Sequence, residues 1–404
     1  MVNCKSVYEP REDSTLLERY VRGYAKGSVL DIGTGSGIQA ITVAHSSKVK
    51  SVLATDVQKS TIEYCKKYIK NKKIKFIVSD LFENINGKFD TIIFNPPYLP
   101  QELKVKDLTL EGGKKGYEVV ERFLNEVNDF LKENGIVLIV FSSLTKKDKV
   151  DEFIKDNLLE SQELAKKHIF FEDLYVYKII KSEILKKLEK KGIKNVKYLA
   201  KGKRGVVYVG DYNARKSKIS GTNSVGNKKV AIKTKNPDSK AILRIDNEVK
   251  FLKLLNKKKI GPKLLFYDKD YLAYEFVKGS NIEELFSYER LELKLIKKIL
   301  LETMQQMYDL DKLKINKEEM SHPHKHIIIN NKYKPVLIDF ERTHFVLKPS
   351  NVTQFTDYIM SKFVQEMLKQ HNVKIKNKKI INAAKVYKKQ QNKKNFNNIL
   401  ELIK

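Results

Sequence analysis

Cysteine is scarce in this 404-residue chain: Cys4 and Cys65 lie far apart and in no C-x-x-C arrangement, so neither a disulfide framework nor a cysteine zinc site is indicated. A reducing, cytoplasmic setting is the expectation. Long hydrophobic runs are lacking as well. The longest, Ile136 to Phe141, is far too short to span a bilayer, and Met1-Val2-Asn3-Cys4-Lys5 leads into charged residues rather than an apolar signal region. Neither secretion nor a membrane partner is expected.

Acidic residues run short in one half only. The net charge is +30, yet residues 1–180 hold 28 Lys and Arg against 26 Asp and Glu, leaving 51 against 23 for residues 181–404. The surplus reads either as lysine-rich solvated faces or as a surface for RNA or a ribosome, because charge sign bears on partners and solubility rather than on fold. The asymmetry favours a boundary near residue 180. The length suits two domains, and a hydrophobic content of 41% is enough to bury two cores.

Residues 28–33, 51–56, 74–80, 89–94 and 135–141 are short apolar, β-branched runs separated by stretches of helical length, which predicts a mostly parallel sheet flanked by helices. Residues 169–180 suit closing strands, and Lys181 to Lys191 reads as a polar joining helix. From Val196 the pattern becomes strand, glycine turn and strand through Val209, then a polar loop over 211–229. A strand at Lys229 to Lys233 precedes a helix with apolar positions Ile245, Val249, Leu252 and Leu255. From about residue 281 the spacing is mainly helical, and in the tail Ile380, Ile381, Ala384, Val386 and Tyr387 leave a helix open.

Asp31-Ile32-Gly33-Thr34-Gly35-Ser36-Gly37 joins the first strand to a helix. Its glycines let the backbone approach a ligand, and the helix start adds unpaired N–H groups. Asp56 and Asp80 end the second and third strands, at the sheet edge where open α/β folds bind ligands. Asp56 is placed to accept from both hydroxyls of a ribose and Asp80 from an adenine amino group, as the adenosine part of a cofactor such as S-adenosylmethionine (AdoMet) would need. After the fourth strand, Asn95-Pro96-Pro97-Tyr98 combines a side-chain carbonyl with a backbone stiffened by two prolines. Pinning both N–H donors of a planar NH2 group there would turn its nitrogen toward an electrophilic methyl, with orientation as the main catalytic contribution. Asn95, Pro96 and Tyr98 are the candidate catalytic residues, Tyr98 packing on the planar group.

Val7-Tyr8-Glu9-Pro10-Arg11-Glu12-Asp13-Ser14, the Asp31–Gly37 loop, Asn95–Tyr98 and Glu111-Gly112-Gly113-Lys114-Lys115-Gly116 together resemble the HemK-type glutamine methyltransferases, in particular the short archaeal and eukaryotic branch. The likeness covers about the first 180 residues. It implies AdoMet as methyl donor, the glutamine of the Gly-Gly-Gln motif of a translation release factor as acceptor, and a small zinc-binding activator subunit as partner. Asn-Pro-Pro-Tyr is shared with enzymes that methylate adenine or guanine amino groups, so a nucleic-acid methyltransferase whose basic second domain grips rRNA, tRNA or DNA stands as an alternative.

Ala200-Lys201-Gly202-Lys203-Arg204-Gly205-Val206-Val207-Tyr208 matches a protein-kinase phosphate loop except that Ala200 replaces its first glycine. Val230-Ala231-Ile232-Lys233 matches the kinase lysine strand, and Glu248 follows where that lysine's partner belongs. Glu275 to Gly279 suits a hinge, and Val336-Leu337-Ile338-Asp339-Phe340-Glu341 puts an acid at a strand end where a kinase holds magnesium. This half resembles atypical, RIO-like kinases, including predicted archaeal protein kinases ending in Ile-Asp-Phe-Glu-Arg. The resemblance implies ATP and Mg2+ bound through Gly202, Gly205, Val207, Lys233, Glu248 and Asp339, with Asp339 on the metal. The usual H-x-D-x-x-x-x-N loop is missing. Met320-Ser321-His322-Pro323-His324-Lys325-His326-Ile327 stands there instead, with His326 roughly at the asparagine, no aspartate, and three alternating histidines that leave phosphate contact, loop packing and a metal open.

The expected fold is therefore α/β: a Rossmann-like AdoMet-dependent domain over 1–180, then a bilobal kinase-like α+β domain over 181–404, its small lobe about 181–278 and its helical lobe about 279–404. A kinase-like half that only docks partners is a further alternative to one that transfers phosphate.

Overall fold

The computed structural model describes residues 9–97, 113–213, 227–236, 240, 244–288, 291–371, 373 and 377–403. The chain divides into two compact units, Met1–Tyr198 with Asp211–Gly226, and Leu199–Gly210 with Asn227–Lys404.

The first unit opens with helix α1 (Glu12–Tyr24) and then alternates strand and helix: β1 (Gly27–Ile32), α2 (Ile38–Ala44), β2 (Val49–Asp56), α3 (Lys59–Tyr68), β3 (Ile74–Val78), β4 (Phe89–Phe94), α4 (Glu118–Phe130), β5 (Leu131–Ser142), α5 (Lys147–Asp156), β6 (Leu159–Ile169), β7 (Glu172–Lys181) and α6 (Glu183–Lys190). Among the described residues, the sheet order is β3-β2-β1-β4-β5-β7-β6. β3, β2, β1, β4 and β5 pair in parallel, and β7 turns antiparallel to β5 and β6. Successive side chains on a strand face opposite ways. Ile92, Phe94, Val137 and Ile139 therefore join the core under α4 and α5, while Ile93, Leu138 and Val140 join the one under α1, α2 and α3. Both faces are covered, which is why these strands read as continuous apolar runs. The strand order reverses between β1 and β4, so the crevice for a ligand opens at their carboxyl ends.

Two expectations need correcting. β6 has no counterpart in the predicted strands, because it is an edge strand whose residues from Glu160 to Glu163 are all exposed. Its inward residues, Leu159, Leu164, Ala165 and Ile169, are few and fall either side of a register shift between Glu163 and Ala165, so they leave no apolar alternation to read. The joining helix is amphipathic rather than polar: Leu185 and Leu188 of α6 are buried, and Lys181 is the last residue of β7, its Nζ buried and 2.5 Å from Glu189 Oε1.

Next come β8 (Ile193–Lys201) and β9 (Gly205–Asn213), each running across the division between units, then β10 (Asn227–Lys235), α7 (Ile245–Asn256), β11 (Leu264–Tyr267) and β12 (Tyr271–Glu275). Their sheet order is β11-β12-β10-β9-β8. All four apolar positions predicted for α7 are buried. Beyond it lie β13 (Gly279–Asn281), α8 (Ile282–Tyr288), α9 (Leu293–Lys312), β14 (Ile315–Asn316), β15 (Ile327–Asn330), β16 (Pro335–Leu337), β17 (His344–Phe345), α10 (Asn351–Ile359), α11 (Lys362–Gln370), α12 (Asn377–Lys389) and α13 (Lys393–Glu401). The mainly helical spacing is thus broken by short strands of two to four residues, too brief to carry a periodic signal. In α12, Ile380 and Tyr387 are buried whereas Ile381 and Val386 face outward. Among the described residues no helix is long and apolar enough to cross a membrane.

Candidate functional sites

At the carboxyl ends of β1 to β4 lies a cavity of about 260 Å3, bounded by Asp13, Ser14, residues 31–36, Gln39, residues 56–58, residues 79–81, residues 94–97 and Arg122. The turn after β1 is possible because Gly33, Gly35 and Gly37 all take left-handed backbone angles, φ +63°, +52° and +84°. That turn is tied to the next strand: Gly35 N–H donates to Asp56 Oδ2 at 3.1 Å, and Gln58 N–H donates to Asp56 Oδ1 at 2.9 Å. Both Asp56 oxygens thus carry a backbone donor, and each keeps a second lone pair. Burial raises the Asp56 carboxyl above its ordinary value. Asp31, buried at the end of β1, is pushed up to about 7 by burial, against the Thr34 hydroxyl that donates to its Oδ2 at 2.6 Å.

Asp80 is half-buried and not free, since Arg122 Nη2 of α4 donates to its Oδ2 at 2.9 Å. Pro96 is buried. Asn95 donates from Nδ2 to Asp13 Oδ2 at 3.1 Å and to Ser14 Oγ at 3.2 Å, while its Oδ1 is buried with no hydrogen-bond partner among the described residues. Tyr98, Glu111 and Gly112 lie outside the described residues. Reading the sequence attached no role to Asp13, Ser14, Gln39 or Arg122. A polar Gln39 on the buried face of α2 is a faint signal, and Arg122 offers none.

The family described as "Methyltransferase small domain" matches residues 11–171. A Methanocaldococcus jannaschii protein, provisionally named a protein N5-glutamine methyltransferase, is 37% identical over 177 residues, covering 42% of this chain and 89% of that one. The chain belongs to the protein N5-glutamine methyltransferase family. It is an AdoMet-dependent methyltransferase. A release factor glutamine methyltransferase of Streptococcus pneumoniae is 31% identical over 28% of this chain, and this chain spans 44% of its length. The solved E. cuniculi Mtq2-Trm112 complex, responsible for methylation of the eRF1 translation termination factor, has a chain that aligns at 26% identity over 44% of this chain and 99% of its own, with a TM-score of 0.37.

Besides its methyltransferase cavity, the chain carries a second cluster of charged side chains in the second unit. The turn at 202–205 is closed by Gly202 N–H on Gly205 O at 2.8 Å and pinned by Asn236, the residue after β10, whose Nδ2 donates to Gly202 O at 2.9 Å. Val207, half-buried on β9, packs against the core below it. Lys233 on β10 is buried, its Nζ 2.8 Å from Glu248 Oε2, 2.7 Å from Asp339 Oδ1 and 3.5 Å from Glu341 Oε2. Burial works to discharge Lys233, but the three carboxylates outweigh it and hold the ammonium charged. Burial likewise opposes ionisation of Asp339, yet Lys233 and Lys317 bring its carboxyl down to about 2. Asp339 has a left-handed φ of +62°, rare for a residue with a Cβ. Ligand atoms of Glu248, Asp339 and Glu341 lie within 4.8 Å of one another.

The missing loop aspartate has a near neighbour. Glu319, one residue before the Met320–Ile327 stretch and at φ +70°, lines the same small cavity as Asp339, with Oε2 2.6 Å from His326 Nε2 and Oε1 2.5 Å from Arg342 Nη1. Looking for an acid inside the loop therefore missed one at its entrance. His326 is buried, with Nδ1 3.4 Å from the buried Lys317 Nζ, so Nδ1 accepts and Nε2 donates to Glu319. Burial and the neighbouring Lys317 lower the His326 pKa, which favours that neutral tautomer. The three histidines do not share a face: Pro323–Lys325 forms a 3-10 turn, His322 is exposed, His324 half-buried and His326 turned inward.

Proposed function

We propose that the first unit transfers a methyl group from AdoMet to the side-chain amide nitrogen of a protein glutamine, and that the Gly-Gly-Gln glutamine of a translation release factor is its acceptor. What carries the reading is the unpartnered, buried Asn95 Oδ1 at the rim of the cavity. A glutamine amide offers two N–H donors. Asn95 Oδ1 takes one and the backbone carbonyl of Pro96 takes the other, which turns the nitrogen face toward the cavity. AdoMet, when bound, supplies the electrophilic methyl. The residues present fit it: the left-handed glycine turn leaves room for close backbone approach, Asp56 retains lone pairs for two ribose hydroxyls, and Asp80 faces the adenine end beside Arg122. Asp31 shapes the glycine turn through Thr34. A small zinc-binding activator subunit is the expected partner.

The deciding experiment is transfer from labelled AdoMet into release factor, rRNA and tRNA by the full chain, with and without a co-expressed activator. Label appearing in release factor and disappearing on glutamine substitution of its Gly-Gly-Gln motif supports the proposal. Label in RNA alone refutes it in favour of a nucleic-acid amino group.

For the second unit we propose a kinase-like site for Mg2+ and ATP. The Lys233–Glu248 pair under the turn at 202–205 supports it: the lysine would meet phosphate charge, and Asp339 with Glu341 would hold the metal. Glu319 would orient an acceptor hydroxyl. Titration of the full chain with Mg2+ and ATP tests this, and binding that survives both Lys233→Ala and Asp339→Ala would place the nucleotide elsewhere.

A further inference from the structure

The start of α1 is the part of the first unit for which the reading above has no use, yet it enters the cavity. Asp13 is buried, and its carboxylate is held in place: Oδ1 accepts from Ser14 N–H at 2.6 Å, and Oδ2 accepts from Asn95 Nδ2. Ser14 Oγ receives the same Nδ2. Ser14 is fixed in turn, because Gln39 Nε2 from α2 donates to its carbonyl at 2.8 Å. An asparagine carboxamide is nearly symmetric in shape, so a half-turn about its last bond exchanges oxygen for nitrogen at little steric cost. Flipped, Asn95 would present N–H groups to the N–H groups of an incoming amide and point its oxygen at a carboxylate, two donors against donors and an acceptor against an acceptor.

We propose that Asp13 is a positioning residue for methyl transfer: with Ser14, it takes both N–H donors of Asn95 and so commits the Asn95 carbonyl oxygen to the acceptor amide. The proposal rests on the role given to Asn95 above. The helix start supplies a buried acid, one of whose oxygens is held by the adjacent backbone N–H.

The test uses the full chain and whichever of release factor, rRNA and tRNA the wild type methylates. Asp13→Asn keeps the size of the side chain. Its oxygen stays on Ser14 N–H, so its NH2 faces Asn95 and favours the flipped carboxamide. Turnover is expected to fall roughly 10- to 100-fold, the scale of one mispaired buried hydrogen bond, with AdoMet affinity by calorimetry unchanged. The decisive variant is the pair. Asn95→Asp alone sets two carboxylates against each other and is expected to be inactive. Asp13→Asn combined with Asn95→Asp restores a donor facing an acceptor and should recover at least about tenfold over Asn95→Asp. A merely structural Asp13 gives no such rescue.

Wild-type turnover by Asp13→Asn, or no rescue in the pair, overturns the proposal. If Asp13→Asn loses AdoMet binding, Ser14→Ala decides: turnover down severalfold with AdoMet binding intact supports the lock, and unchanged turnover refutes it. Full activity in Asn95→Ala would sink the reading of Asn95 itself, whereas an inactive Asn95→Ala beside an unaffected Asp13→Asn sinks only the lock.

Discussion

Asp31 and Asp56 in the first unit and Glu248, Asp339 and Glu341 in the second are all carboxylates gathered beside a glycine turn, but their partners differ in kind. The first pair is met by backbone N–H groups and a hydroxyl, with no cation within salt-bridge distance among the described residues. The second set surrounds the Lys233 ammonium, and Glu341 also meets Arg204 Nη1 at 3.2 Å. Neutral donors leave an acid raised in pKa and with acceptor capacity to spare, which suits a ligand bearing hydroxyls and an ammonium. Cations hold Asp339 ionised, although burial still raises Glu248, and leave a lysine that an anion can share, which suits phosphate and a metal. A buried carboxylate is thus set for one class of ligand or the other by what neutralises it.

The largest effect expected from breaking this contrast comes from Asn95→Ala. Turnover should fall by roughly 100- to 1000-fold, the scale of losing one preorganised polar contact at a reacting centre, while AdoMet affinity measured by calorimetry stays within about threefold. A neutral site tolerates such a deletion in folding. The ionic site does not: Lys233→Ala strands three carboxylates around a vacated position and should destabilise the fold by about 3–5 kcal/mol, read by urea denaturation of the full chain. Replacing the acids of the first site should cost less. Asp56→Ala is expected to weaken AdoMet binding by roughly 10- to 100-fold, the range for hydrogen bonds to a charged group. Asp80→Ala should weaken it only severalfold, because Asp80 is half-exposed and already shared with Arg122.

The smallest and most diagnostic effect is on pH. Native Asp31 keeps its proton to about pH 7 whereas the unfolded chain loses it near pH 4, so this residue's contribution to stability falls as pH rises through that window. Asp339 works the other way: held near 2, it contributes stability that is complete above about pH 4 and lost as pH falls toward 2. Denaturation midpoints should therefore gain on the wild type from pH 5 to pH 8 in Asp31→Asn, and show less loss below pH 4 in Asp339→Asn. Parallel wild-type and variant profiles in both cases would remove the contrast.

Legibility in the sequence followed burial. Buried strands carried the signal: 89–94 was predicted to the residue, and 135–141 caught the buried part of β5 but not its exposed start at Lys132–Asn134, while the largely exposed β6 was not read at all. Residues at strand ends were readable for the same reason: the strand locates them. Asp56, Asp80 and Asn95 inherit their place from β2, β3 and β4. Glu319 inherits nothing, since it sits in a left-handed loop conformation with no period to mark it.

By itself, then, the sequence determined the order of strand and helix, the glycine turn that only residues free to take positive φ can make, and the chemical types gathered at each sheet edge. Tertiary structure decided the pairings. Asp13 reaches Asn95 across 82 positions of chain and Lys233 reaches Asp339 across 106, and contacts so distant depend on the packing of whole elements. Which acid is neutralised by a backbone donor and which by a lysine is settled there, because desolvation and partner charge exist only once the chain has folded.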